Sequence, residues 1–201
     1  MKHETKDNKK YLIVGLGNPG KEFENTPHNI GWHVILGLAA EFGADFEPSS
    51  KMYGDFAKAR IADQEVIMLK PTTYMNRSGL AVRNAIGFWK ISINNLLVIQ
   101  DDSDMELGRL KLVFNQSSAG HKGLDSIIRS MGNQKFARLK IGVRPKNLPQ
   151  GGKKHVKAER FILRPLSEKI QNDISKLGKE VVENWIKNGL SDTINKYNGR
   201  T

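Results

Sequence analysis

The sequence predicts an α/β protein built as a single domain. Three observations point there. Short apolar, β-branched runs at residues 11–15, 65–70, 95–99 and 136–143 alternate with longer stretches whose apolar residues recur at helical spacing. Polar loops rich in Gly, Asn and Ser follow several of the strand-like runs, the place where α/β sheets carry their chemistry. No internal repeat, low-complexity tract or linker divides the chain, and 201 residues with 38% hydrophobic content suffice for one well-buried core.

Residues 1–10, MKHETKDNKK, are polar, lack the apolar stretch of a secretory signal and read as a disordered tail, leaving 11–201 as the folded domain. The first strand, 11–15, runs into the loop GLGNPGKEFENTPHNIGW. A helix follows, with Ile30, Val34, Ile35, Leu38, Ala39 and Phe42 along one stripe. Residues 55–61 and 65–70 read as a hairpin joined through Ala62, Asp63 and Gln64, a turn without Gly whose type stays open. Pro71 ends that pattern because proline biases its predecessor to extended geometry, and TTYMNRSG is a loop with Ser78 placed to cap a helix running to Trp89.

Residues 95–99 form a buried strand ending in Gln100, Asp101, Asp102, Ser103 and Asp104. A strand at 110–114, a Gly-containing loop at 117–123 and a short helix at 124–131, with Ile127 and Ile128 inward, come next. In the strand 136–143, Phe136, Leu139 and Ile141 face the core while Arg138 and Lys140 alternate with them and make the other face basic. The composition of 145–157 reads as a mobile basic loop. Ser167 is placed to cap a long helix to about residue 187, its buried stripe being Ile170, Ile174, Leu177, Val181, Val182 and Trp185.

Cysteine is absent, which excludes disulfides, a thiol nucleophile and Cys-ligated metal and fits a reducing cytoplasm. No run approaches the roughly 18 apolar residues of a membrane span, so a membrane partner is not expected. The net charge of +11 is concentrated: residues 105–165 hold 14 of the 32 Lys and Arg but three of the 21 acids, leaving 18 of each elsewhere. A concentrated excess suggests a polyanionic partner, most simply nucleic acid, against the plainer reading of a solvated basic face.

Gly15, Gly17 and Gly20 spell the GxGxxG of a dinucleotide loop, but no helix opens at once and no acid ends the next parallel strand, so a nucleotide cofactor is not expected. The glycines instead let the backbone turn sharply and present Asn18. His28 stands inside this Gly and Asn loop, and Asp101, at the end of a central strand, could orient its imidazole; a cap or salt bridge is the plainer role for Asp101. Asn76 is either a turn former or, with Asn18, a neutral amide for a substrate carbonyl or amine. There is no GxSxG, no HExxH and no paired His spacing, so neither a serine nucleophile nor a metal is expected. What remains is a His and Asp pair that activates water directly.

Taken together, GLGNPG with TPHNIG, then PTTYMNRSG, QDDSDMELG, SAGHKGLDSI and FARLKIGV resemble bacterial-type peptidyl-tRNA hydrolase in order and spacing, over nearly the whole chain. The resemblance implies an esterase that frees tRNA from a peptide, on a single α/β domain whose twisted, mixed β-sheet is flanked by helices on both faces, acting as a monomer without metal or other cofactor. It implies His28 as general base, Asp101 as the acid orienting it, and Asn18, Phe23, Tyr74, Asn76 and Lys122 as substrate-binding residues. Arg138, Lys140 and Lys111 are implied as contacts to tRNA phosphate. The chain departs from the family pattern at Lys122, where Asn is usual and where Lys could polarise the carbonyl or bind phosphate. It departs again at Gln100, Pro27 and Phe23, where His, Arg and Tyr are common. A non-hydrolytic RNA-binding relative of the same fold would keep the basic face but could dispense with His28 or Asp101, and both are present.

Overall fold

The computed structural model describes residues 9–148, 158 and 161–198. Seven strands, β1 (Lys10–Gly15), β2 (Glu47–Ser49), β3 (Gly54–Ile61), β4 (Gln64–Pro71), β5 (Leu96–Glu106), β6 (Leu110–Phe114) and β7 (Ala137–Arg144), form one sheet in the order β2-β3-β4-β1-β5-β7-β6. The four central strands β4, β1, β5 and β7 run parallel; β3 and β6 pair antiparallel to β4 and β7, and β2 antiparallel to β3. The helices are α1 (Ile30–Glu41), α2 (Ser78–Trp89), α3 (Lys122–Met131) and α4 (Glu168–Tyr197). The sheet is therefore mixed and single, as the resemblance implies.

Alternation along the central strands divides the core in two. Ile13, Met68, Leu97, Ile99 and Leu139 face one side and pack with α1 and α4; Leu12, Val14, Leu69, Leu96 and Val98 face the other and pack with α2 and α3. Strands covered on both faces must be apolar at every position, which is why β1 and β5 read as continuous runs rather than alternating ones.

From β1 the chain passes through α1 to the β2–β3–β4 side, whereas from β5 it passes to β6 and β7 on the opposite side. Neighbouring parallel strands whose connections diverge leave a crevice beyond their carboxyl ends. Glycine makes this crevice compact. A Cβ on Gly15 would lie 2.3 Å from the carbonyl oxygen of Gly31, and one on Gly31 would lie 2.5 Å from both the Leu16 nitrogen and the Ile99 carbonyl oxygen. The start of α1 thus rests directly on the end of β1 and on β5 at Ile99. The role expected of these glycines shifts accordingly: among Gly15, Gly17 and Gly20, only Gly20 has a positive φ, of 122°, and Gly15 serves close packing rather than turning.

Several elements differ from the sequence reading, each for a local reason. The hairpin turn is Ala62-Asp63, with φ 49° and 63°, and Gln64 already pairs with Ile61. Two left-handed residues match the strand twist, and Arg60 Nη2 donates to the Asp63 carbonyl at 2.8 Å. β5 runs on to Glu106 because β7 continues to pair with it through Asp102–Gly142 and, past an irregularity, Glu106–Arg144. Ser78 is not a cap: it is the first residue of α2, and its hydroxyl donates back to the Met75 carbonyl at 2.9 Å. Ser167 does hold the N-cap position of α4, without a side-chain capping bond. That helix extends beyond the expected end, interrupted at Gly189 (φ 82°, ψ −179°), a conformation open essentially to Gly alone. In its expected stripe, Ile174, Val181, Val182 and Trp185 are buried and Ile170 is partly so, but Leu177 is 41% exposed.

The expected tail meets the fold at its last two positions: Lys10 opens β1, and the Lys9 backbone donates to Gln64 Oε1 at 2.8 Å. Residues 1–8 lie outside the described residues, as does 149–157 of the expected basic loop; 145–148 begin with a turn in which the Leu148 nitrogen donates to the Pro145 carbonyl. At the opposite sheet edge, Asn198 replaces a missing strand. Its Oδ1 accepts from the Leu112 nitrogen at 2.8 Å and its Nδ2 donates to the Leu112 carbonyl at 2.7 Å, which covers the edge of β6.

Candidate active site

The loop after β1 is closed by one side chain. Asn29, 1% exposed, accepts from the Asn18 backbone nitrogen at 2.8 Å through Oδ1 and donates to the Asn18 carbonyl at 3.0 Å through Nδ2. This reciprocal pair fixes both ends of an eleven-residue excursion that holds a single 3₁₀ turn at Lys21–Phe23 and a second at Pro27–Asn29. Pro27 sits at the first position of the second turn, where its missing N–H costs nothing. His28 is the next residue and so is presented over the end of β5.

Asp101, 3% exposed, is the fixed point beneath it. Its Oδ1 lies 2.9 Å from His28 Nδ1 and 3.1 Å from Nε2 of a second histidine, His121. His121 is the N-cap of α3, its Nδ1 accepting from the backbone nitrogens of Gly123 (3.1 Å) and Leu124 (3.4 Å). An imidazole nitrogen that accepts carries no proton, so Nε2 of neutral His121 is the N–H and donates to Asp101. His28 Nδ1 donates to the same oxygen. The lone pair of neutral His28 is thereby placed on Nε2, which has no protein partner among the described residues.

The electrostatics follow from this geometry. Burial disfavours the Asp101 carboxylate, but the charges of His121 and His28 and their hydrogen bonds outweigh it and hold its pKa well below the usual carboxylate range. For His28, burial lowers the pKa, while the Asp101 charge and hydrogen bond raise it and Lys122 opposes them; the net shift is upward from 6.5. Nδ1 of His28, Nε2 of His121 and the Asp101 carboxylate lie within 4.8 Å of one another, a spacing a cation could use. The hydrogen bonds oppose it: freeing His121 Nε2 for a metal would move its proton to Nδ1, against two helix N–H donors.

The three groups open onto a cleft of about 440 Å³ whose wall includes Lys111, Lys122, Arg138 and Lys140. These cations are not equivalent. Lys140 Nζ is paired with Asp102 Oδ2 at 2.6 Å. Arg138 is 1% exposed rather than presented on a basic face. Its Nη1 donates to the Ser117 carbonyl at 2.8 Å and its Nη2 to the Gln116 carbonyl, and burial draws its pKa down to about 10, which leaves it cationic at neutral pH. The 115–121 loop folds over it, which strand alternation alone does not reveal.

The remaining sequence-predicted residues, Asn18, Phe23, Tyr74 and Asn76, do not line this cleft. Asn18 Oδ1 accepts from the Met75 nitrogen at 2.8 Å, tying the first loop to the 3₁₀ turn Met75–Arg77 and leaving Nδ2 as its free donor among the described residues. Asn76 is exposed, Tyr74 is 63% exposed, and Phe23 is partly buried. The sequence reading had not singled out His121. Its signal was present in SAGHKG, a histidine in a Gly-rich loop immediately before a helical pattern.

Fold and site define a class: a single-domain α/β enzyme with a carboxylate-held imidazole in the crevice between diverging strands and a cationic wall beside it. Residues 12–201 match the family model described as peptidyl-tRNA hydrolase, and the chain belongs to that family. It is 39% identical over 193 residues to a peptidyl-tRNA hydrolase of Clostridium botulinum, covering 94% of this chain and 96% of that one. It is 42% identical over 172 residues to the peptidyl-tRNA hydrolase of Aquifex aeolicus, covering 85% of each. The crystal structure of peptidyl-tRNA hydrolase from Acinetobacter baumannii superposes with a TM-score of 0.82 at 29% identity, over 96% of this chain and 97% of that one.

Proposed function

We propose that this chain hydrolyses the ester between a peptide, or an N-blocked amino acid, and the tRNA 3′ end, using water activated by His28 and no metal or other cofactor. Family membership supports the reaction, and one observation supports the mechanism: Asp101 Oδ1 accepts from His28 Nδ1, which directs the other ring nitrogen, unprotonated, outward. In the proposed step His28 Nε2 takes a proton from water as the water oxygen attacks the ester carbonyl. Asp101 stabilises the imidazolium, and the proton returns to the departing ribose oxygen. General-base catalysis of this kind contributes roughly 10²- to 10⁴-fold.

Binding rests on the cleft's basic wall. Lys111 and Lys122 carry no ion-pair partner among the described residues and are the groups best placed to meet backbone phosphate, with Lys140 exchanging Asp102 for phosphate. Arg138 serves this surface by holding the Gln116 and Ser117 carbonyls. Phosphate contacts position a substrate without reading its sequence, which suits an enzyme that serves many tRNAs. Asn18 Nδ2 and the Asn76 amide, with Tyr74 and Phe23 beside them, take the peptide end. A neutral amide site leaves a charged α-amine unpaired and so disfavours aminoacyl esters. We read the enzyme as a monomer, with translation in the cytoplasm as its setting.

The test is release of amino acid from N-acetyl-aminoacyl-tRNA and from its unblocked counterpart. Hydrolysis of the blocked ester alone is expected. Tight tRNA binding without hydrolysis would favour a non-catalytic RNA-binding role.

A further inference from the structure

We propose that Lys122 receives the phosphodiester nearest the scissile ester, and that this pairing releases His28 to take up a proton. The inference rests on the reading of His28 as the base. Lys122 is the first residue of α3, directly after the His121 cap, and shares the wall of the His28 cleft. A cation at a helix N-terminus opposes the aligned peptide dipoles. Lys122 nevertheless has no ion-pair partner among the described residues, while Lys140 is held by Asp102 and Arg138 by two carbonyls. A cation so placed is unfavourable until an anion meets it.

The neighbourhood of His28 shows what that anion would change. Asp101 faces the imidazole from β5 and His121 from the loop before α3, with ring centroids 5.5 Å apart; Lys122, next in sequence to His121, lines the same cleft from the start of α3. Asp102, Asp104, Lys111, Arg138 and Lys140 lie further along the same cleft. General-base catalysis turns His28 into an imidazolium, and the Lys122 charge acts against it. A phosphodiester carries one negative charge, so pairing with Lys122 cancels that opposition and leaves Asp101 to support the base. The free enzyme then holds a weaker base than the complex, and the tRNA backbone itself strengthens it.

Two esters separate the effect. N-acetyl-aminoacyl-adenosine lacks a phosphodiester; the same ester on the trinucleotide of a tRNA 3′ end carries them. For the wild type, the inflection of kcat against pH should lie about half a pH unit or more higher with the trinucleotide ester, the scale expected of one partly screened charge. In Lys122→Met the two inflections should coincide and the trinucleotide ester should lose affinity. Lys122→Arg should restore the separation. Independently, NMR titration of His28 should show its pKa rising when the unesterified trinucleotide binds the wild type and not when it binds Lys122→Met. The same separation of inflections in Lys122→Met as in the wild type would overturn the proposal. Full activity of His28→Ala on both esters would instead remove the reading beneath it.

Discussion

The floor of the cleft and its wall are built on opposite plans. On the floor, three histidine nitrogens and the carboxylate have their partners assigned: Asp101 Oδ1 takes two N–H groups, and two backbone N–H groups fix His121. On the wall, Lys111 and Lys122 stand without ion-pair partners among the described residues. The floor is arranged before substrate arrives, as transition-state chemistry requires of groups that must not reorganise. The wall completes its electrostatics with the substrate, as counterion-exchanging phosphate binding requires. Substitutions on the floor should therefore alter kcat, and those at Lys111 on the wall should alter affinity and its salt dependence.

Asp101→Asn offers the strongest way to break that division. It removes the charge that supports the imidazolium, and a loss of about 10²- to 10⁴-fold in kcat is expected with little change in tRNA affinity. A parallel loss of affinity, measured by filter binding, would place Asp101 in the binding surface instead. The pH profile sharpens the same point. His28 must be neutral to act and its pKa is raised, so kcat should climb as pH rises through an inflection above 6.5. The linked stability has the opposite course: the ion pair stabilises the fold fully below pH 6.5 and is lost as pH rises through the folded pKa. Asp101, with its pKa lowered, contributes stability that is present above its unfolded value near 4 and is lost as pH falls toward the folded one.

His121→Ala should have an intermediate effect, since it removes an orienting bond and a helix cap together. About 1 kcal/mol of stability is expected to go, visible as a lower denaturant midpoint, with a fall in kcat larger than any change in KM. Gly31→Ala tests the packing that brings the two sides of the floor together. Its Cβ would meet the backbone of Leu16, just past β1, and of Ile99 in β5, and a destabilisation of about 1–3 kcal/mol should appear in the same measurement. The smallest effect belongs to the wall: Lys111→Met should weaken tRNA binding several-fold and flatten its logarithmic salt slope by about one, leaving kcat at saturating substrate unchanged.

The same contrast explains what the sequence made legible. His28 and Asp101 could be found because each lies where a strand gives way to polar residues, and such junctions converge beyond a sheet's carboxyl edge. The layered sheet was legible for a related reason: burial on both faces forces continuous apolar runs, and burial on one face of a helix forces a stripe. His121 was harder to see because its contribution depends on two backbone N–H groups of α3, which no side-chain pattern reports. Arg138 misled in the other direction. Alternation with Leu139 assigns it to the opposite face of β7, but alternation does not say whether a loop covers that face. The role of Gly15 and Gly31 was invisible because it exists only between elements, in the distance from one backbone to another.

The account turns on the unprotonated nitrogen of His28, and single-turnover hydrolysis of N-acetyl-aminoacyl-tRNA by His28→Ala tests it most directly. With tRNA affinity retained, the rate should fall by about 10²-fold or more and lose its dependence on pH near neutrality. A rate within a few-fold of the wild type, with the same pH inflection, would contradict the assignment.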